Sequence, residues 1–175
     1  MHLLSELDAF DGKHTELLEA LLRRLRPDHE VIDELCSITE ESEPRLQVAA
    51  TWVLKRFCDA GLDLSPEQGT RILELVGQVS PWEARLHLLQ VVSTVAIPSH
   101  RANTLYRTLG TLVEDANKFV RAWAFGGLIE LADQHEKFRV EVKDRVLEAQ
   151  ETAPASVQAR IRNATRGKAW IEDRE

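Results

Sequence analysis

From Asp28 onward, apolar residues recur three and four positions apart in blocks separated by short polar breaks that often hold proline or glycine. That period belongs to an amphipathic helix, and no strand-like alternation lasts more than a few residues. The blocks predict four helical pairs. First helices are expected over 28–38, 65–76, 102–115 and 136–150, and second helices over 44–60, 81–97, 117–133 and 154–171. Ahead of them, 3–9 predicts a short helix and 14–26 a stronger one, with Leu17, Leu18, Leu21, Leu22 and Leu25 forming one apolar stripe. Pro27 stops that helix and Asp28 is placed to cap the next. Ser65-Pro66-Glu67-Gln68 and Ser80-Pro81-Trp82-Glu83 both read as capping boxes, and Gly61 and Gly77 as left-handed helix ends.

The second helices share a spacing. Val120, Arg121, Ala124 and Leu128 align with Leu46, Gln47, Ala50 and Leu54, with Ala84, Arg85, Leu88 and Val92, and with Val157, Gln158, Ile161 and Thr165. Successive starts are 38, 36 and 37 residues apart, within the range of helical-hairpin repeats. Leu54, Leu88, Val92, Ala124 and Leu128 therefore belong inside.

The V-R-x-x-A-x-x-x-L core resembles the HEAT-repeat family, as does Asp115 six residues before Arg121; Glu41, Val79 and Thr152 stand at the corresponding positions elsewhere. The resemblance covers about 28–171. It implies an all-α fold, a right-handed α-solenoid of about four HEAT-like hairpins in one domain spanning 1–175. Residues 1–27 would cap it, and the repeats would occupy about 28–61, 65–98, 102–134 and 136–171. It also implies that second helices line a concave face, and that the side chains of Asp115 and Arg121 hydrogen-bond to each other, or one of them to the neighbouring hairpin.

The 175 residues suffice for a buried core, and the sparse glycine and proline (8 and 6) disfavour a turn-rich β architecture. No apolar run approaches membrane-spanning length, and the first residues lack a basic segment of signal-peptide type. Two cysteines, Cys36 and Cys58, read as buried thiols in a reducing compartment, with the cytoplasm as the default.

No nucleophile-elbow, metalloprotease or nucleotide-binding motif occurs, and the six histidines are scattered without a metal-ligand pattern. The expected cofactor is none and the expected class is noncatalytic. Gly126-Gly127 interrupt a helix at a cost of about 1 kcal/mol each, a cost best explained by close approach of a neighbouring helix. Trp52 and Trp170 read as core. Trp123 shares a repeat column with Ala49, His87 and Arg160, which points it to solvent or groove, so Trp123 beside Arg121 forms the expected ligand-contacting pair.

Net charge is −7, yet the predicted first helices sum to −6 and the second to +6. Most of the positive excess comes from Arg160, Arg162, Arg166 and Lys168. The leading expectation is a scaffold that holds a partner protein or acidic segment through Arg85, Arg121, Trp123, Arg162 and Arg166. Arg162 and Arg166 are read as one helical face, with Arg160 and Lys168 pointing elsewhere. The alternative is a nucleic-acid-binding protein resembling the HEAT-like DNA-alkylation-repair glycosylases, which the net acidity disfavours. An assistant subunit of a lyase or maturation enzyme is a third reading, which nothing in the sequence favours.

Overall fold

The computed structural model describes residues 3–172, which form eleven α-helices and one 3-10 turn, with no strand among them. Packing divides the chain into two compact units, Met1–Val95 and Ala96–Glu175. No helix among the described residues is long and apolar enough to cross a membrane.

The first unit holds α1 (Leu3–Leu7), α2 (Glu16–Arg24), α3 (His29–Glu41), α4 (Pro44–Asp59), α5 (Pro66–Leu75) and α6 (Trp82–Val92). Asp28 caps α3 by accepting from the Val31 N–H at 2.9 Å, and Ser65 and Gln68 complete a reciprocal capping box on α5. The α4 helix closes on Gly61, whose φ of +85° suits only glycine well; Gly61 and Leu62 donate back to Cys58 O and Phe57 O. Helix α4 is the hub, packing on α3 and on α6, while α3 also meets α5. Ile32, Leu35, Ala50, Val53, Leu54, Ile72, Leu88 and Val92 fill the space between them with no exposed surface. The two cysteines lie in this core as free thiols, and burial pushes Cys36 up to about 12 and Cys58 up to about 11.

The second unit holds α7 (Ser99–Leu112), α8 (Lys118–Gln134), the 3-10 turn Glu136–Phe138, α9 (Arg139–Thr152), α10 (Ala155–Thr165) and α11 (Ala169–Glu172). Its hub is α8, which packs on α7, α9 and α10. Val120, Ala124, Leu128, Ile129 and Leu131 are fully buried there, against Leu109, Val142, Val146, Val157 and Ile161. All five residues expected inside from the repeat, Leu54, Leu88, Val92, Ala124 and Leu128, are fully buried.

Several boundaries differ from the sequence pattern, for local reasons. Helix α6 stops at Val92 rather than 97, because Ser93 and Thr94 turn their hydroxyls onto the Gln90 and Val91 carbonyls and begin a turn. Its N-cap is Pro81 without a side-chain bond, so Ser80 is not a capping serine; its N–H instead meets Gln47 Oε1 at 3.4 Å. Gly77 is not left-handed. Helix α7 begins one turn early, directly after Pro98. The last second helix does not run to 171: α10 ends at Thr165, Arg166 leaves the helical conformation in a turn (φ −57°, ψ 124°) and Gly167 takes φ +75°. The chain resumes as α11, where the Lys168 ammonium meets Asp133 Oδ2 and Trp170 Nε1 donates to Asp133 Oδ1 at 3.0 Å.

Candidate functional site

The repeat column at 47, 85, 121 and 158 sits in the second turn of each second helix, and all four side chains point a donor back at a main-chain oxygen. Gln47 Nε2 donates to Thr39 O (3.0 Å), Arg85 Nη2 to Val79 O (3.0 Å), Arg121 Nη1 to Asp115 O (2.8 Å) and Gln158 Nε2 to Ala153 O (2.9 Å). These oxygens lie at or just past the C-terminal end of the preceding first helix, where carbonyls lack an intrahelical partner. A donor rather than a charge is what the column requires, hence the interchange of Gln and Arg. Arg85 and Arg121 therefore both have a structural job, one that the sequence predicts for Arg121 with Asp115 and does not predict for Arg85. Asp115 receives Arg121 through its main-chain oxygen, and its Oδ1 accepts from the Asn117 N–H.

Arg121 also borders a pocket of about 570 Å³ within the second unit. Val113 and Glu114 at the end of α7, Arg121 and Phe125 on α8, and the last turns of α9 line it, with Pro154 and Val157 at the start of α10. Its base is apolar: Val113, Phe125, Ala149 and Val157 are all buried. Its rim is mixed in charge, with Glu114, Glu148 and Arg145 exposed beside half-buried Arg121. The volume suits one or two side chains of a ligand. At the corresponding place in the first unit, Gln47 spans the gap, holding Thr39 O and the Ser80 N–H of the next loop. Arg121 spends its Nη1 on Asp115 O and, at 3.5 Å, Ala116 O of its own loop.

Trp123 lies two residues from Arg121, about 200° around the helix, and the structure does not pair them. Its partner is Arg160, whose guanidinium carbon sits 3.6 Å from the ring centroid, a cation–π stack joining α8 to α10. Within each unit the column thus faces a seam between second helices, α4 with α6 for 49 and 87 and α8 with α10 for 123 and 160. Ala49 is fully buried, and His87 meets Thr51 Oγ1 at 3.1 Å across α4 and α6. Burial pushes His87 down to about 4, so it is neutral there, and burial likewise lowers Arg160 from its ordinary value.

The two helical glycines divide the seam's demands. A Cβ on Gly127 would stand 2.9 Å from Leu109 Cδ2 of α7. On Gly126 it would meet Arg160 Nε at 3.1 Å and Nη2 at 3.3 Å. Close approach of neighbouring side chains accounts for both. Arg162 and Arg166 are exposed, and with Arg166 beyond the end of α10 they do not form one helical face; neither lines the pocket. Of the tryptophans read as core, Trp52 and Trp170 are half-buried, each with an arginine over its ring.

Arg160 and Phe125 are the residues that sequence reasoning passed over. The signal for Arg160 was present, since Trp123 and Arg160 occupy one column of successive second helices. Among the described residues, no three His, Cys, Asp or Glu groups are arranged to hold a metal ion. A scan of protein-family models finds no match to this chain, and a search of curated proteins finds none either.

Proposed function

We propose that the protein is a noncatalytic interaction module of HEAT-like, right-handed α-solenoid type that acts in the cytoplasm and binds a segment of a partner protein. The observation carrying this reading is the second-unit pocket, with its apolar base and mixed-charge rim. An apolar side chain of an extended segment would cover the small apolar surface left open on Val113, Phe125 and Ala149. Arg121, Arg145, Glu114 and Glu148 would meet the flanking polar groups. Cys36, Cys58 and His87 are shifted by burial in packed core, not at the pocket.

The test is affinity capture from native lysate with the wild-type chain and with Thr152→Trp, which places a large ring on the exposed pocket rim. A partner protein should be retained by the wild type, lost with Thr152→Trp and indifferent to nuclease. Nuclease-sensitive capture would favour the nucleic-acid reading instead. Equal retention by the variant would remove the pocket from the proposal.

A further inference from the structure

A second site lies at the α8–α10 seam and stands apart from the pocket. We infer that the Trp123–Arg160 stack is a docking point for a carboxylate side chain of an acidic peptide segment.

The inference starts from what Arg160 lacks. Arg24, Arg45, Arg71 and Arg139 each face a carboxylate at 2.6–2.8 Å: Glu6, Asp8 with Glu43, Glu40 and Glu136 respectively. Arg160 has no hydrogen bond or ion pair among the described residues; its contact is the ring of Trp123. Its Nε is shut off from solvent without a partner, and so is Ser156 Oγ, one turn earlier on the same helix. Arg160 as a whole is only half-buried, and a guanidinium that keeps its Nη end open to solvent is the fork that grips a carboxylate in two parallel bonds.

The surroundings hold that fork in place. Trp123 fixes its plane, and Gly126 gives up a side chain so that Nε and Nη2 can lie against α8. A glycine inside a helix costs about 1 kcal/mol, and here the three atoms nearest its missing Cβ all belong to the Arg160 guanidinium. A cation held by its stack and partly desolvated, with no counter-charge among the described residues, gains more from an incoming carboxylate than a freely solvated arginine does.

The same geometry selects between polyanions. Nucleic acid would recruit Trp123 as a stacking platform, and Arg160 already occupies a ring face. Arg162 and Arg166 do not extend the site into a phosphate-tracking row, because α10 ends at Thr165. A single fork next to a covered ring fits one Glu or Asp side chain of a peptide.

The experiment uses the full chain and a hexaglutamate peptide as probe, with hexathymidylate and equal added sodium chloride as comparison arms. The Arg160 Nε–Hε NMR resonance, assigned by its loss in Arg160→Lys, should move with hexaglutamate and not with salt. Arg160→Gln should weaken peptide binding by at least about tenfold. Gly126→Ala, which keeps the charge but displaces the guanidinium from its seat, should weaken it by a smaller factor while the circular dichroism stays helical. Thr152→Trp, at the pocket, should leave hexaglutamate binding unchanged, which separates failure of this site from failure of the pocket. The inference is overturned if salt alone moves the resonance, if Arg160→Gln binds the peptide within twofold of wild type while folded, or if hexathymidylate binds more tightly than hexaglutamate through Arg160.

Discussion

The two units differ in net charge. Residues 1–95 carry nine Lys and Arg against seventeen Asp and Glu, a net −8, while residues 96–175 carry thirteen against twelve, a net +1. In the first unit Arg24, Arg45 and Arg71 are all neutralised by carboxylates, and Arg71 also reaches Ser37 and Asp33 O. In the second, Arg139 is neutralised by Glu136, Arg121 is spent on carbonyls, Arg160 on a ring, and Arg162 and Arg166 are exposed. The chain's acidity therefore belongs to the first unit, and the whole-chain charge says little about what the second attracts. The seams differ alike. Neutral His87 and Thr51 meet in one, and a cation on an aromatic ring in the other.

The sharpest way to test that both units are fully packed is to empty each core. Leu54→Ala in the first and Leu128→Ala in the second should each cost about 2 to 5 kcal/mol, read by urea denaturation. A melting temperature equal to wild type for either would remove that position from the core. Next comes pH, which should separate the seams. His87 is held neutral by burial, with Lys55 adding to the depression to about 4, so the unfolded chain binds its proton first as pH falls below its ordinary 6.5. The stabilising share of a neutral His87 is complete above that value and is lost on descending toward pH 4. Wild type should lose about 2 kcal/mol more than His87→Gln between pH 7 and 4.5. Equal losses would mean that His87 is charged in the folded state. The Arg160 seam stays cationic across this range and should contribute no such step.

Smaller effects distinguish the glycines and the capping column. Gly127→Ala forces a methyl onto buried Leu109, at about 1 to 3 kcal/mol less the 1 kcal/mol of helix propensity gained. Gly126→Ala meets only the movable end of Arg160 and should be nearer neutral in thermal melts. Gln47→Ala removes partners from two main-chain groups and should cost about 1 to 2 kcal/mol, whereas Arg121→Ala should cost about 1 kcal/mol or less. The reverse order would mean that Arg121, not Gln47, carries the stronger loop contact.

Burial was the most legible property of the sequence. The column that holds Leu54, Val92 and Leu128 repeats every 36 to 38 residues, because a position facing two neighbouring helices tolerates little besides an apolar side chain. Helix ends were less legible, because they depend on local competition: the hydroxyls of Ser93 and Thr94 stop α6, and Gly167 stops α10. The candidate sites were legible only in part. Arg121 is legible both as a groove cation and as the partner of Asp115 six residues back; spacing does not reveal that the main-chain oxygen of Asp115 accepts the bond. Trp123 was picked out with the wrong neighbour. Two residues along one helix look adjacent in sequence and point apart in space, while Arg160, 37 residues on, lies in the next second helix at the matching turn. The pocket has no signature at all, since it arises between the ends of α7 and α9 and the first turns of α8 and α10.

Both cysteines of the chain lie in the first unit, and their thiols ionise only at strongly alkaline pH while they remain buried. A thiol reagent at neutral pH therefore reacts only with molecules in which α3 or α4 has opened, and it is blind to the second unit, which contains no cysteine. The unmodified protein thus carries an internal clock for one of its halves. The labelling rate reports how often the first unit breathes. Comparison with global unfolding then shows whether the two halves come apart together or one at a time.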